Sequence, residues 1–358
     1  MRNRTFEKLG TSMSFKKQIL LRKRISSIEA NSDDFKKTLT ASDLTFIGIG
    51  GIIGTGIFVL TGMAAANYTG PAIVLSFAIA GFVSALAALC YSEMSSMIPL
   101  SGSAYLFTYF TMGEFSAWII GWDLILEYLV GAATVAVGLS GYIVALCHDL
   151  GIHTIREITE SPFLFDTKTQ TFKMSGAYFN LPAFAIVLGI TGVLMFGVKE
   201  SARLNSTAVV IKIVVVFLFL GSCSFYINKD NYTPFIPPNT GTFGHFGISG
   251  IFQGATTVFF AYIGFDAVST CAQECKNPQR DLPIGIILSL VICTVLYIAV
   301  SFVLTGVVPY TELNVPMPIS VGIAKTGLHW LTLIIDLGAV AGLSSVLLVN
   351  LMAQPRIQ

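Results

Sequence analysis

The stretch Phe46-Ile-Gly-Ile-Gly-Gly-Ile-Ile-Gly-Thr-Gly-Ile-Phe58 limits what this chain can fold into more than any other. It lies within an apolar run, residues 44–66, long enough to cross the hydrocarbon core of a bilayer, which takes about 20 helical residues. Five glycines, Gly48, Gly50, Gly51, Gly54 and Gly56, fall within nine positions. Each costs a helix about 1 kcal/mol relative to alanine, so the centre of the run is poorly held as helix. Backbone without helical bonds is tolerated at that depth only where protein or a water-lined cavity surrounds it. The spacing predicts a membrane helix that comes apart midway and binds something polar there. Small residues also let helices approach closely; five around one Ile-Ile-Gly-Thr-Gly run favour a break.

The rest of the chain agrees with a membrane setting. Of 358 residues, 54% are hydrophobic and 11% charged, against about 25% charged in a soluble domain. Eight apolar segments predict an all-α polytopic protein: residues 44–66, 71–97, 116–147, 181–198, 205–227, 248–271, 283–307 and 330–353. Residues 1–43 form a basic arm with ten Lys and Arg, which places the N-terminus in the cytoplasm. Beyond the arm the basic residues divide evenly between the two sides, so orientation rests on the arm. Asp43 is the expected N-cap of the first span. The net charge of +1 points to no nucleic-acid partner. The six cysteines have neither disulfide-framework nor zinc spacing, and no cofactor is implied.

The sixth span repeats the oddity of the first. Val258-Phe-Phe-Ala-Tyr-Ile-Gly-Phe-Asp266 sets Gly264 and an acid in the middle of an apolar segment. Spans one and six are an odd number apart and so run in opposite senses. Two interrupted helices opening two halves of opposite topology point to an inverted-repeat transporter with its substrate at the midplane. At such breaks, free N–H groups and the positive dipole end suit a carboxylate, and freed carbonyls suit an ammonium group. A free amino acid offers both.

Several motifs carry a resemblance. Gly51-Ile-Ile-Gly-Thr-Gly-Ile-Phe58, Tyr91-Ser-Glu-Met-Ser-Ser-Met-Ile-Pro-Leu-Ser-Gly-Ser-Ala-Tyr105, Phe259-Phe-Ala-Tyr-Ile-Gly-Phe-Asp-Ala-Val-Ser-Thr270 and Glu274-Cys-Lys-Asn-Pro-Gln-Arg-Asp-Leu-Pro283 occur in order. Residues 40–358 thereby resemble amino acid–polyamine–organocation permeases, nearest the cationic amino acid transporter branch and its bacterial relatives. The resemblance implies a LeuT-like fold of two inverted five-helix repeats. Residues 44–227 would be the first repeat and 228–358 a partial second one, spans six to eight, in a C-terminally truncated chain. It also implies that Gly54, Thr55 and Gly56 offer N–H groups to a substrate carboxylate. The carbonyls of Ile52, Phe260, Ala261 and Ile263 would receive the ammonium, and the Phe260 ring would act as a lid. Phe259, Tyr262 and Phe265 stay unassigned.

The charges inside the spans are few. Lys212 sits about two turns inside the fifth, where an ammonium costs about 2.5–3.5 kcal/mol on insertion scales. Amines taken out of water give up protons more readily, and by the resemblance Lys212 is the proton-coupling residue reaching the unwound first span. Asp123 and Glu127 are one turn apart on span three and share a face. Glu127 is the candidate gate or side-chain pocket acid, and Asp123 is nearer the interface. Glu93 reads as structural, while Asp266 and Asp336 are each a pathway acid or a local cap. The expected function is secondary transport of amino acids across a cell membrane, proton-coupled or exchanging. The alternative is a non-transporting truncated permease fragment or amino-acid sensor. With no metal cluster, nucleophile–base pair or phosphate loop in the sequence, an enzyme is disfavoured.

Overall fold

A computed structural model of the chain describes residues 37–357 apart from 150, 152–153, 167–170, 196–197 and 316. The basic arm therefore lies mostly outside the described residues. Helix α1 (Ala41–Ile52) opens with a capping box in which Thr40 is the N-cap and Asp43 the third helical residue. Asp43 Oδ2 accepts the Thr40 N–H at 2.9 Å. The expected N-cap is thus shifted: the Thr40 hydroxyl caps, and Asp43 reaches back to it.

Helical bonding stops at Ile52, and Ile53 is extended, with φ −73° and ψ 101°. The chain then resumes as π-helical turns, Gly56–Leu60 and Ala65–Thr69, on either side of a short α2 (Thr61–Ala64). Gly70, at φ +62°, and Pro71 turn it into α3 (Ile73–Met97). Next come α4 (Ser103–Thr111), α5 (Glu114–Asp149) and an antiparallel hairpin of β1 (Phe163–Asp166) and β2 (Thr171–Met174) that pairs Phe163 with Met174. Helices α6 (Leu181–Met195), α7 (Val198–Cys223), α8 (Gly247–Phe259), α9 (Pro278–Val307), α10 (Pro318–Thr326) and α11 (His329–Ile357) follow. After α8 the backbone tightens to 3₁₀ turns at Phe260–Tyr262 and again at Asp266–Glu274.

Among the described residues, six stretches are long and apolar enough to cross a membrane: Ala41–Met97, Glu114–His148, Arg203–Tyr226, Gly247–Glu274, Pro278–Val307 and Trp330–Ile357. The first holds the two spans expected at 44–66 and 71–97, and the span expected at 181–198 is the shorter helix α6. The protein is a multi-pass membrane protein. The hairpin and the short helices α4 and α10 fall in segments read as connections.

The packing fixes the senses of the helices. A Cβ on Gly285 would meet Leu44, and one on Gly48 would meet Ser289, so α1 and α9 run parallel. Phe77 packs on Tyr297 and Gly81 against Thr294, so α3 runs the other way. The first span and the α8 segment cross antiparallel: Gly254 lies against Thr69, Gly56 against Ala261 and Gly264 against Gly51. The two broken segments touch at their breaks, and α11 packs on α1, α5 and α7 behind them.

Candidate functional site

The five glycines divide their work. Gly48, Gly50 and Gly51 remain in α1 and lie against Ser289, Asn205 and Gly264 respectively, so there the close-packing reading holds. The break itself is only Ile53 and Gly54 wide. In the partner segment Ile263 is extended, with ψ 136°, and Gly264 takes φ +116°. A Cβ on Gly264 would lie 2.8 Å from the Gly51 carbonyl carbon, so glycine is required both by dihedral and by space.

Between the breaks is a small cavity, partly open to its surroundings. From the first segment Ile52, Gly54, Thr55 and Gly56 line it; from the other, Phe260, Ala261 and Ile263 do. All seven backbone and lid residues expected at the site are thus brought to one cavity. Gly54, Thr55 and Gly56 begin a fresh helical run, whose first N–H groups have no partner within the helix. The ends of α1 and of the α8 segment bring carbonyls to the same place. Three of these already have a neighbour: the Phe260 carbonyl accepts the Ile263 N–H at 3.3 Å, and the Tyr297 hydroxyl of α9, with one proton to give, stands 2.6 Å from the Ile52 carbonyl and 2.9 Å from that of Ala261. Phe260 is half-buried beside them.

Lys212 is wholly buried. Its Nζ donates to the carbonyls of Gly50 and Ile53, each at 2.9 Å, and to Ser345 Oγ at 3.2 Å. Those carbonyls lie at the end of α1 that the break frees, so the ammonium substitutes for missing helical donors. The three donors of one amine meet three neutral acceptors. Ser345 in turn reaches Asn205 Oδ1 at 3.0 Å, and Asn205 Nδ2 donates to the Phe46 carbonyl at 3.2 Å.

The acids occupy a separate place. Glu127 is half-buried and does not line the cavity; Gly131 and Val135, one and two turns further along the same face of α5, do. Its charge faces Asp266, which is buried and takes a hydrogen bond from the Tyr128 hydroxyl. Asp266 is therefore a bonded tie between α5 and the second break rather than a bare pathway acid. Asp123 and Glu93 are exposed. Asp336 is buried and accepts from Ser320, tying α10 to α11. Of the unassigned aromatics, Tyr262 donates to the Phe77 carbonyl at 2.9 Å and Phe265 packs edge-on against Tyr91, so both are packing residues.

A family model described as amino acid permease matches residues 39–358. The chain belongs to the amino acid permease family. Curated members similar to it include a methylthioribose transporter of Bacillus subtilis (strain 168), 46% identical over 92% of this chain and 68% of that protein. The branched-chain amino acid permease BcaP of the same organism is 47% identical over 90% of this chain and 66% of its own length. The vacuolar cationic amino acid transporter 2 of Arabidopsis thaliana is 38% identical over 97% of this chain and 53% of its own. This permease chain thus spans between about half and about two thirds of the relatives it matches.

Within the permease cavity the sequence reading missed Gly131 and Val135 of α5 and Val346 and Asn350 of α11. Asn350 is 5% exposed, and its side chain has no hydrogen-bond partner among the described residues. Its amide atoms keep some contact with the open part of the cavity, where a ligand group could bond them. The available signal was an asparagine in the otherwise apolar run Val346-Leu-Leu-Val-Asn-Leu-Met352.

Proposed function

We propose that this chain is the substrate-binding part of a secondary carrier for amino acids, held in a cell membrane with its N-terminus in the cytoplasm. The reading rests on one observation: the start of one helical run and the ends of two others converge on a single cavity. The N–H groups of Gly54, Thr55 and Gly56 would hold the α-carboxylate at the positive dipole end. The carbonyl of Ile263, and the second lone pair of the Phe260 carbonyl, would hold the α-ammonium first, with those of Ile52 and Ala261 joining once Tyr297 swings aside. On this reading residues 44–227 are one five-helix repeat and 228–358 belong to its inverted counterpart.

The side-chain end of the cavity is lined by Val135, Val346 and the Asn350 amide, with no charged group. This suits a neutral amino acid, in the sense of the branched-chain permease relative rather than the cationic transporters. Glu127, one turn away, would take part only for a longer basic side chain. Lys212 would couple transport to a proton: charged, it holds Gly50 and Ile53; neutral, it releases them and lets the first span move.

The test is displacement of labelled leucine or isoleucine from the purified chain by a panel of amino acids, their amines and methylthioribose. Displacement only by ligands carrying both α-groups is expected. Tight binding of methylthioribose, a sugar thioether with neither group, without binding of any amino acid would overturn the assignment. Uptake driven by an imposed pH gradient tests the coupling.

A further inference from the structure

Ser345 has one hydroxyl proton and two acceptors in reach, Asn205 Oδ1 at 3.0 Å and the Gly50 carbonyl at 3.1 Å. Lys212 Nζ needs that same Gly50 carbonyl, at 2.9 Å, and a lone pair of Ser345 Oγ. If Ser345 donates to Gly50, hydroxyl and ammonium compete for one oxygen. If it donates to Asn205, Gly50 is left to the lysine and the Ser345 lone pair turns toward Nζ. Asn205 is fixed in the acceptor position from three sides. It is 1% exposed, its Nδ2 is committed to the Phe46 carbonyl, and its Oδ1 lies where a Cβ on Gly50 would stand.

We infer that Asn205 is a positioning residue for the Lys212 switch, acting through Ser345. With the amine charged, Ser345 donates to Asn205 and accepts from Lys212. With the amine neutral, the hydroxyl rotates and donates to the free lone pair of Nζ, and the two remaining N–H groups hold the Gly50 and Ile53 carbonyls by uncharged, weaker hydrogen bonds. No bond other than hydrogen bonds changes, and the proton leaving Lys212 goes to solvent or to the substrate route. This rests on the reading of Lys212 as the coupling group, and adds why a buried asparagine two turns before it on the same helix belongs to the mechanism.

The ionisable groups on the helices packed against α7 leave the switch to these residues. They include Asp43 on α1, Arg280, Asp281, Cys293 and Tyr297 on α9, Lys325 on α10, and Asp336 and Arg356 on α11. A pH step at the first break is assigned to the lysine by its absence in Lys212→Ala.

The experiment is hydrogen–deuterium exchange of the peptide spanning residues 46–58, followed against pH and corrected for the intrinsic exchange rate. The wild-type chain is expected to lose protection in one step as pH rises, and Lys212→Ala to show no step. Asn205→Leu should keep the step and move it to lower pH by about one unit, the size expected when Ser345 turns its proton to the Gly50 carbonyl and one hydrogen bond of the charged amine is lost. Asn205→Asp, which restores the acceptor, should return it to or above the wild-type position. Ser345→Ala should also lower the midpoint, and Asn205→Leu should then add nothing further. An unmoved midpoint in both Asn205→Leu and Ser345→Ala overturns the inference while leaving Lys212 in place. Uniform loss of protection at every pH overturns it too, as a merely structural role. A missing wild-type step, or one that survives in Lys212→Ala, removes the lysine reading and this inference together.

Discussion

Gly264→Ala is the sharpest probe of the crossing between the two broken segments. Alanine at φ +116° is a conformation L-residues rarely adopt, at a cost of about 1–3 kcal/mol. The new methyl would also lie 2.8 Å from the Gly51 carbonyl carbon and 2.9 Å from its oxygen. That neighbour is backbone and cannot rotate away, so overpacking adds about 1–3 kcal/mol. The sum, about 2–6 kcal/mol, is a large part of a typical folding free energy of about 5–15 kcal/mol. With about 2.1 cal/mol/K of unfolding entropy per residue, it lowers the midpoint of a chain this long by about 3–8 °C. Thermal unfolding in detergent, followed with a thiol-reactive dye on the buried cysteines, is the assay. Gly51→Ala, whose methyl would meet Gly264 O at 3.1 Å and Val349 at 3.2 Å, should lose less. Gly189→Ala has nothing within 4 Å and should be neutral or slightly stabilising. A Gly264→Ala chain that melts with the wild type would refute the described crossing.

Three further outcomes follow from named contacts. Lys212→Ala should flatten the dependence of uptake on external pH, and Lys212→Arg should be as damaging, because guanidinium keeps its proton; an unchanged profile in reconstituted vesicles would count against the coupling role. Asn350→Leu removes the unpartnered amide from the cavity and should alter the ranking of amino-acid side chains by about tenfold in affinity without abolishing binding, one hydrogen bond being worth about 0.5–1.5 kcal/mol. Arg356 donates to both Glu274 oxygens at 2.7 and 3.0 Å and to Cys271 at 2.9 Å. Arg356→Met alone should therefore destabilise by about 3–5 kcal/mol, while the added change Glu274→Gln recovers much of the loss, as expected when a buried charge is no longer stranded; thermal unfolding of both variants decides it.

The apolar segments and the two breaks were legible because hydropathy and glycine clustering act locally. Lys212 was legible because a charge in an apolar run has few bland explanations. What the glycines do was only half legible: whether Gly50 bends the chain or admits Asn205 depends on a helix more than 150 residues away. The Tyr297 hydroxyl on Ile52 and Ala261, the Ser345–Asn205 pair and the unpartnered Asn350 share one difficulty. Each is an ordinary polar residue in an apolar helix, and only the packing tells a helix-bonded hydroxyl such as that of Thr294 from one aimed at another segment. Asp43 was displaced as N-cap because two residues with capping side chains stand three apart, and the box uses both. Glu127 was legible as an acid within a span but not as one set beside Asp266 instead of on the cavity wall.

Whether backbone atoms at two breaks read the α-groups of an amino acid comes down to equilibrium binding of one matched trio to the purified chain. The trio is an amino acid, the same molecule without its carboxylate, and the same molecule without its amine. The first should bind, and each of the others should lose at least about a hundredfold, since each forfeits charge-assisted hydrogen bonds of about 1.5–3 kcal/mol apiece. Equal binding of the amine and the amino acid would show that the breaks do not read the carboxylate.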